Sequence, residues 1–100
     1  MKLSTAMIKG FAQVGRQCHG VFSVGPSRKP RAVCAIGAAR FGMFGITNAF
    51  DIPVRDLGKF RDLQRQIREF EDTYYMSIAE VNDDGVSIPD IIGMAKAAGL

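Results

Sequence analysis

Three residues of this chain have side chains suited to metal binding or nucleophilic catalysis: Cys18, His19 and Cys34. A structural zinc site usually takes four Cys or His ligands in paired spacings, so one ligand is missing unless a carboxylate completes the set. A Cys–His pair must point its two side chains at each other, whereas adjacent residues on an extended or turn backbone generally point apart. Two reduced cysteines and a surface histidine are favoured over a Cys18–Cys34 disulfide. We therefore expect no metal, no cofactor and no enzymatic activity.

Two further segments match ligand-binding loops only in part. Glu80–Gly85 has a glycine at the sixth position of a calcium loop, but the twelfth position is Ile91, where a bidentate glutamate is required. Gly20–Ser27 has the two glycines of a phosphate loop, but Pro26 stands where lysine is required and removes a backbone N–H from the cradle. We expect both segments to be connections between elements.

The strongest candidate for a binding site is the segment Ser27–Arg31, which places Arg28, Lys29 and Arg31 in a proline-stiffened loop. No acidic residue lies nearby in the sequence, so phosphate or carboxylate groups are the natural partners of these cations. A solvated basic loop without a partner is an equally open interpretation.

Negative charge is concentrated in a second segment, the turn formed by Asn82, Asp83 and Asp84 and closed by Gly85. Such residues tolerate turn geometry, and a connection between helices usually runs over the surface. We expect this turn to be exposed, to have few internal partners and to be available to a basic partner. The predicted partner-binding residues are therefore Arg28, Lys29, Arg31, Asn82, Asp83 and Asp84.

The charges are distributed unequally along the chain. Residues 1–50 contain seven Lys and Arg but no Asp or Glu, whereas all ten acidic residues follow. Either the two halves complement each other in the fold, or the first half presents a basic face to an acidic partner. Apolar residues make up 47% and charged residues 23%, which is typical of a chain that folds unaided.

The elements that must position these residues are mostly helical. An apolar stripe at spacings of three and four predicts a first helix from the cap Ser4 to about Val14. The turn-rich stretch Arg16–Pro30 follows, in which only Val21–Val24 is suited to a short strand. Ala32–Phe44 reads as a central helix, because it is apolar almost all round.

The second half predicts two or three further helices. Apolar residues recur at helical spacing over Leu57–Val81, as one helix or two, with Asp72–Thr73 as the favoured break. Ser87 is expected to cap a final helix that ends before Gly99. The predicted fold class is mainly α: one domain over residues 1–100, a bundle of four to five helices with a long loop, or a short strand, between the first two.

Membrane insertion and export are not expected. Arg40 and several glycines interrupt Ala32–Phe50, the only stretch that approaches the composition of a membrane span. Lys9 interrupts the apolar run that a secretory signal would need. We expect a cytoplasmic protein.

Three segments, in this order, resemble small uncharacterised helical proteins of phages and prophages: Lys2–Ser4, then Cys34–Ala39, and then Val81–Asp83 followed by Ser87 and Ile91–Ile92. The resemblance implies a mobile-element setting, the host cytoplasm, and no catalytic residues. In size, charge asymmetry and lack of catalytic groups the chain is also similar to inhibitors of host defence of the anti-CRISPR type.

The leading hypothesis is a non-enzymatic interaction protein that masks a host protein or protein–nucleic acid surface. The alternatives are a small basic nucleic-acid-binding or regulatory protein, and a virion structural component.

Overall fold

The protein is built from five helices and one very short hairpin. The computed structural model describes residues 1–100, and the predicted mainly α fold class is confirmed. The helices are α1 (Leu3–Val14), α2 (Ala35–Phe44), α3 (Leu57–Tyr74), α4 (Ile78–Asp83) and α5 (Ile88–Ala97). The strands are β1 (Ser23–Val24) and β2 (Ala32–Val33), and two 3₁₀ turns, Ala49–Asp51 and Val54–Asp56, lead into α3.

Helices α1 and α2 pack with their backbones in contact. A side-chain carbon at Gly10 would overlap the backbone of Ala38, and one at Gly42 would overlap the backbone of Ala6. Glycine is therefore required on both sides of this crossing, because only a residue without Cβ leaves space for the facing carbonyl. Most of α2 is buried, as predicted for a central helix.

The start of α2 differs from the prediction. Ala32 and Val33 are not helical, because they pair antiparallel with Val24 and Ser23. The helix begins only after Cys34, whose Sγ accepts a hydrogen bond from the backbone N–H of Gly37 (3.4 Å). Of the two alternatives for Val21–Val24, a loop or a short strand, the structure shows a strand over the last two residues.

The first helix is also capped differently from the prediction. Ser4 lies inside α1 rather than at its N-cap, and its hydroxyl donates to the carbonyl of Leu100 (2.9 Å). The backbone N–H of Leu3 donates to Oε1 of the buried Gln66 on α3 (2.6 Å). Residues distant in the sequence thus accept the hydrogen bonds from N–H groups of the first turn that a capping side chain would otherwise accept.

Residues Leu57–Val81 form two helices, but the predicted break at Asp72–Thr73 is wrong. Thr73 stays helical, with its hydroxyl bonded to the carbonyl of Glu69. The chain turns at Tyr75, which adopts a left-handed conformation (φ 58°), and Ser77 caps α4 by accepting from the N–H of Glu80. The predicted cap Ser87 is confirmed at the start of α5.

One hydrophobic core joins all five helices. Its largest fully buried side chains include Met7 of α1, Phe70 of α3, Ile78 of α4 and Ile91 of α5. None of the helices combines the length and apolar character needed to cross a bilayer. The hairpin and the segment that follows α2 lie beside this core, and the candidate site is formed between them.

Candidate functional site

An open cleft of about 520 Å³ lies between the β1–β2 hairpin and the segment that follows α2. Small-molecule sites usually have volumes of about 300–1,000 Å³, so this cleft falls within that range. Its lining residues are Phe22, Ser23, Gly25, Ser27, Arg40, Thr47, Asn48, Ala49 and Phe50.

Gly37 on α2 positions the hairpin against the helix. A Cβ at Gly37 would overlap the carbonyl oxygen of Phe22, and the same oxygen accepts a hydrogen bond from the N–H of Cys34 (3.0 Å). Residues three apart on a helix share a face, so the contact at Gly37 places the hairpin beside Arg40. The guanidinium carbon of Arg40 lies 4.5 Å from the centroid of the Phe22 ring, a cation–π contact.

Arg40 is a buried cation with almost no partners. It is 9% exposed, and its one hydrogen bond, from Nη1 to the carbonyl of Thr47, is long at 3.4 Å. Its Nε is buried and has no hydrogen-bond partner. Burial lowers the pKa of the guanidinium, which nevertheless stays charged because arginine is not deprotonated in proteins. No carboxylate pairs with this charge.

The opposite wall of the cleft is held together by Ser27. Its Oγ accepts from the backbone N–H groups of Thr47 (3.0 Å) and Asn48 (2.9 Å). The side-chain oxygen of Asn48 is also occupied, because it accepts from the N–H of Phe50 (3.0 Å). The Ser27 hydroxyl proton and the Asn48 amide N–H groups remain without a partner in the protein. Together with Arg40, the cleft therefore has an excess of hydrogen-bond donors over free acceptors.

Two aromatic residues line the same cleft. Phe50 is 97% exposed on the first 3₁₀ turn, and Phe22 is 48% exposed over Arg40. An aromatic ring of this kind in water is costly unless something covers it. The arrangement is able to bind a group that combines negative charge with a flat apolar ring.

The predicted basic residues Arg28, Lys29 and Arg31 are all exposed in the β1–β2 loop. The loop is ordered by a turn in which the N–H of Lys29 donates to the carbonyl of Pro26 (3.1 Å). None of the three cations forms an ion pair. Gly25 and Ser27 of the same loop line the cleft, and the Arg31 side chain runs alongside Gly25. The structure therefore brings the basic loop to the rim of the Arg40 cleft.

The predicted acidic site is not a uniformly exposed turn. Asn82 lies inside α4 and is 0% exposed, so its predicted placement on the surface is wrong. Its Oδ1 accepts from Gln17 Nε2 (2.8 Å) and from the N–H of Ala35 (3.0 Å), while its Nδ2 donates to the carbonyl of Cys18 (2.9 Å). With a further bond from Nδ2 to the carboxylate of Asp83 (3.2 Å), these internal partners occupy the amide completely, which explains why it is buried.

The two aspartates that follow Asn82 differ from each other. Both are exposed, but Asp83 accepts a hydrogen bond from the N–H of Gly20 (2.9 Å). This bond, and a second from the Asn82 amide (3.2 Å), lower the pKa of the Asp83 carboxyl. Asp84 has no side-chain hydrogen bond and is free to meet a partner. The expectation that the whole turn has few internal partners therefore holds only for Asp84.

The cysteines and the histidine do not assemble into a ligand cluster. Both thiols are free. Burial is the main reason that the pKa values of Cys34 and Cys18 are both raised. No three His, Cys, Asp or Glu side chains converge as a metal site requires.

Sequence reasoning missed the two residues that give the cleft its character. In the sequence, Arg40 is only a charge that interrupts an apolar segment, and Phe50 lies in a connection without a predicted element. Arg40 did carry a usable signal, because a lone cation in a helix that is otherwise apolar must reach solvent, a partner or a ligand. Phe50 carried none, since a single aromatic in a loop is equally compatible with burial.

No family model, no curated protein and no solved structure matches this chain. A mainly α fold hosts many unrelated functions and does not identify one. The chemistry of the cleft and of the basic loop is therefore the basis for assigning a function.

Proposed function

We propose that this protein is a non-enzymatic interaction protein whose basic loop binds an acidic or phosphate-bearing surface of a host protein or protein–nucleic acid complex and masks it. The observation that carries the proposal is the set of three exposed, unpaired cations, Arg28, Lys29 and Arg31, on an ordered loop. Exposed charges of one sign attract a complementary surface and speed its association.

The loop presents these cations in a fixed arrangement. The N–H of Arg31 donates to the carbonyl of Val24 (2.8 Å), which closes the hairpin at the base of the loop. At the other side, Ser27 binds the segment after α2 through its hydroxyl oxygen and through its carbonyl, which accepts from the N–H of Thr47 (3.1 Å). A loop that is ordered before binding loses less conformational entropy when a partner docks.

Helix α3 provides an internal contrast. Arg65 on this helix is bound by both Asp62 and Glu69, so its charge is neutralised within the protein. Such an arginine has little net charge to offer a partner. The basic loop has no such neutralising carboxylate.

A second candidate function, binding of single-stranded nucleic acid, is favoured by the position of Phe50. Single-strand binders combine cations that contact the backbone with aromatic rings on which bases stack. The cleft beside the basic loop is lined by two aromatic residues, Phe22 and the exposed Phe50.

The test compares two triple charge reversals. In the first, Arg28, Lys29 and Arg31 are replaced by Glu; in the matched control, Lys59, Arg61 and Arg68, which are exposed on α3, are replaced by Glu. Both variants change the net charge equally. Each protein is titrated with a labelled single-stranded oligonucleotide, a duplex and a polyglutamate peptide, and is used as bait for a host complex that the wild type copurifies.

Loss of a host complex in the loop variant but not in the α3 variant would support masking. A tight oligonucleotide complex that weakens steeply between about 50 and 200 mM salt, and that the loop variant loses, would favour the second candidate. Equal behaviour of the two variants with every probe would contradict both functions.

A further inference from the structure

The Arg40 cleft has features that the basic loop does not need. A loop that meets a partner by surface charge requires only exposed cations, yet Arg40 is a cation removed from water and left without a carboxylate. Burying a charge is expensive unless hydrogen bonds and an opposite charge compensate it. The protein supplies one long hydrogen bond, to Thr47, and one aromatic face, Phe22.

We infer that the Arg40 cleft binds the phosphate of a nucleotide, either free or within a single strand, with the base against Phe50. This inference deepens the proposed function, since it names the phosphate-bearing group, but it rests on Arg40 and not on the loop cations.

The donors of the cleft select an oxyanion. Arg40 lines the cleft and its Nη2 makes no hydrogen bond within the protein, while its Nε, which also has no partner, is inaccessible to solvent. The hydroxyl proton of Ser27 and the amide of Asn48 are also unused, because their oxygen atoms are already engaged by backbone N–H groups. A phosphate offers several acceptor oxygens, and arginine matches its geometry with two parallel hydrogen bonds. A neutral ligand with acceptor oxygens would satisfy these donors but not the charge of Arg40, and a cationic ligand would be repelled by it.

The aromatic rings select what the phosphate is attached to. One face of Phe22 is already occupied by Arg40, whereas Phe50 is 97% exposed at the rim of the same cleft. A base stacked on an exposed ring buries apolar area on both sides, and such stacking tolerates any of the bases. A nucleotide unit carries both groups, a phosphate for Arg40 and a base for Phe50. The volume of about 520 Å³ lies in the range of small-ligand sites.

The cleft is also assembled independently of any ligand. Gly37 holds the hairpin against α2, and the Ser27 hydroxyl holds the segment that carries Asn48 and Phe50. The binding groups therefore come from three separate parts of the chain that the fold already fixes. Such pre-organisation reduces the entropy lost on binding.

The direct test is titration calorimetry of the purified protein with adenosine 5′-monophosphate. Adenosine, inorganic phosphate, a phosphotyrosine peptide and a single-stranded oligonucleotide serve as comparison probes. We expect the monophosphate to bind more tightly than adenosine or phosphate alone. Arg40→Met should weaken it by about tenfold or more, and Arg40→Lys should also weaken it, because lysine lacks the planar fork.

Two further variants separate a binding role from a structural one. Phe50→Ala removes only an exposed ring, so the fold is kept, and we expect affinity for the monophosphate to fall by about fivefold or more. Arg61→Met is the matched control, since it removes one exposed arginine outside the cleft, and it should leave the affinity within about twofold. If Arg40→Met fails to fold, Arg40→Lys and Phe50→Ala decide the outcome.

The comparison probes identify the source of the nucleotide. Tighter Arg40-dependent binding of the oligonucleotide than of the monophosphate would assign the site to a strand, and the reverse order would assign it to a free nucleotide. The inference is overturned if the wild type binds neither probe, if Arg40→Met or Phe50→Ala binds as the wild type does, or if the phosphotyrosine peptide binds more tightly than both. The triple reversal of the basic loop, which leaves Arg40 in place, tests the proposed function separately.

Discussion

Asn82, which contacts the start of α2, and Arg40, which lies on α2, are both buried polar side chains, but they differ in how many hydrogen-bond partners the protein gives them. Asn82 is 0% exposed, and both ends of its amide are bonded: to the backbone of Ala35 and Cys18 and to the side chain of Gln17. Arg40 is 9% exposed, carries a full charge and has one long hydrogen bond. The group that is more costly to bury is the one with fewer partners.

This difference distinguishes a structural polar group from a binding one. The Asn82 network connects α4 to α2 and, through Gln17, to the start of α5, since Gln17 Oε1 accepts from the N–H of Ile88 (2.9 Å). A polar network in which every member is satisfied fixes one arrangement of the elements around it. An unsatisfied buried group that lines an open cleft has instead a free-energy cost that a ligand can remove.

The largest effect is expected from Asn82→Leu, which keeps the side-chain volume but removes the amide. The N–H of Ala35, the carbonyl of Cys18 and the amide of Gln17 would lose their partner in the interior. Each orphaned group costs about 1–3 kcal/mol, so we expect a loss of about 3 kcal/mol or more in the free energy of unfolding. Urea denaturation measures this loss directly.

The exposed Asp84→Leu is the control for that experiment and should change stability by no more than about 0.5 kcal/mol. A double variant of Gln17 and Asn82 should cost less than the sum of the two single variants, since both belong to one network. If Asn82→Leu is as stable as the wild type, the hydrogen bonds of Asn82 do not stabilise the fold.

A smaller effect, of opposite sign, is expected from Arg40→Met. The substitution removes a desolvated charge and keeps an unbranched apolar side chain against Phe22, but it also loses the cation–π contact and the bond to Thr47. Replacing buried charge by well-packed apolar groups is often neutral or stabilising, so we expect unfolding to cost the same or about 1 kcal/mol more. A loss of more than about 2 kcal/mol in the same urea assay would make Arg40 a structural link between the hairpin and α2.

Helical periodicity predicted the fold class well, because burial on one face repeats with the helix period. Local residues alone placed the body of the central helix and the N-cap of the last helix. The prediction was wrong where a partner distant in the sequence determines the local structure. Ser4 was predicted to be an N-cap, but its hydroxyl donates to the carbonyl of Leu100. Ala32–Val33 was predicted to be helical, but it forms a strand because it pairs with β1.

The candidate site could be predicted only in part for the same reason. Arg28, Lys29 and Arg31 could be proposed from the sequence because clustered cations beside prolines are a local signal. Asn82 was misplaced because its type suits a turn, whereas Gln17, 65 residues away, provides its buried partner. The Arg40 cleft is formed by α2, the hairpin and the first 3₁₀ turn. Residue spacing in the sequence does not predict that these three elements come together.

The smallest predicted effect concerns Asp83, the exposed member of the Asn82 network. The N–H of Gly20, and then the Asn82 amide, lower the pKa of its carboxyl in the folded protein. A lowered folded pKa means that the ionised form stabilises the fold above the unfolded pKa of about 3.9, and that this contribution is lost as the pH falls through the lower folded value. Asp83→Asn should therefore be less stable than the wild type near pH 7, and the gap should close as the pH falls below about 4.

Thermal unfolding of both proteins across this acid range measures that gap. The pKa of Asp62 is also lowered, chiefly by its hydrogen bond from Arg65, so both proteins lose stability in acid and only their difference reports on Asp83. Asp84→Asn removes the same charge without a hydrogen bond and controls for net charge. If the gap between Asp83→Asn and the wild type is the same at every pH, the Gly20 bond does not depend on the ionised carboxylate. Asp83 would then be a surface charge like Asp84, free for a basic partner, and the Asn82 network would end at Asn82 itself.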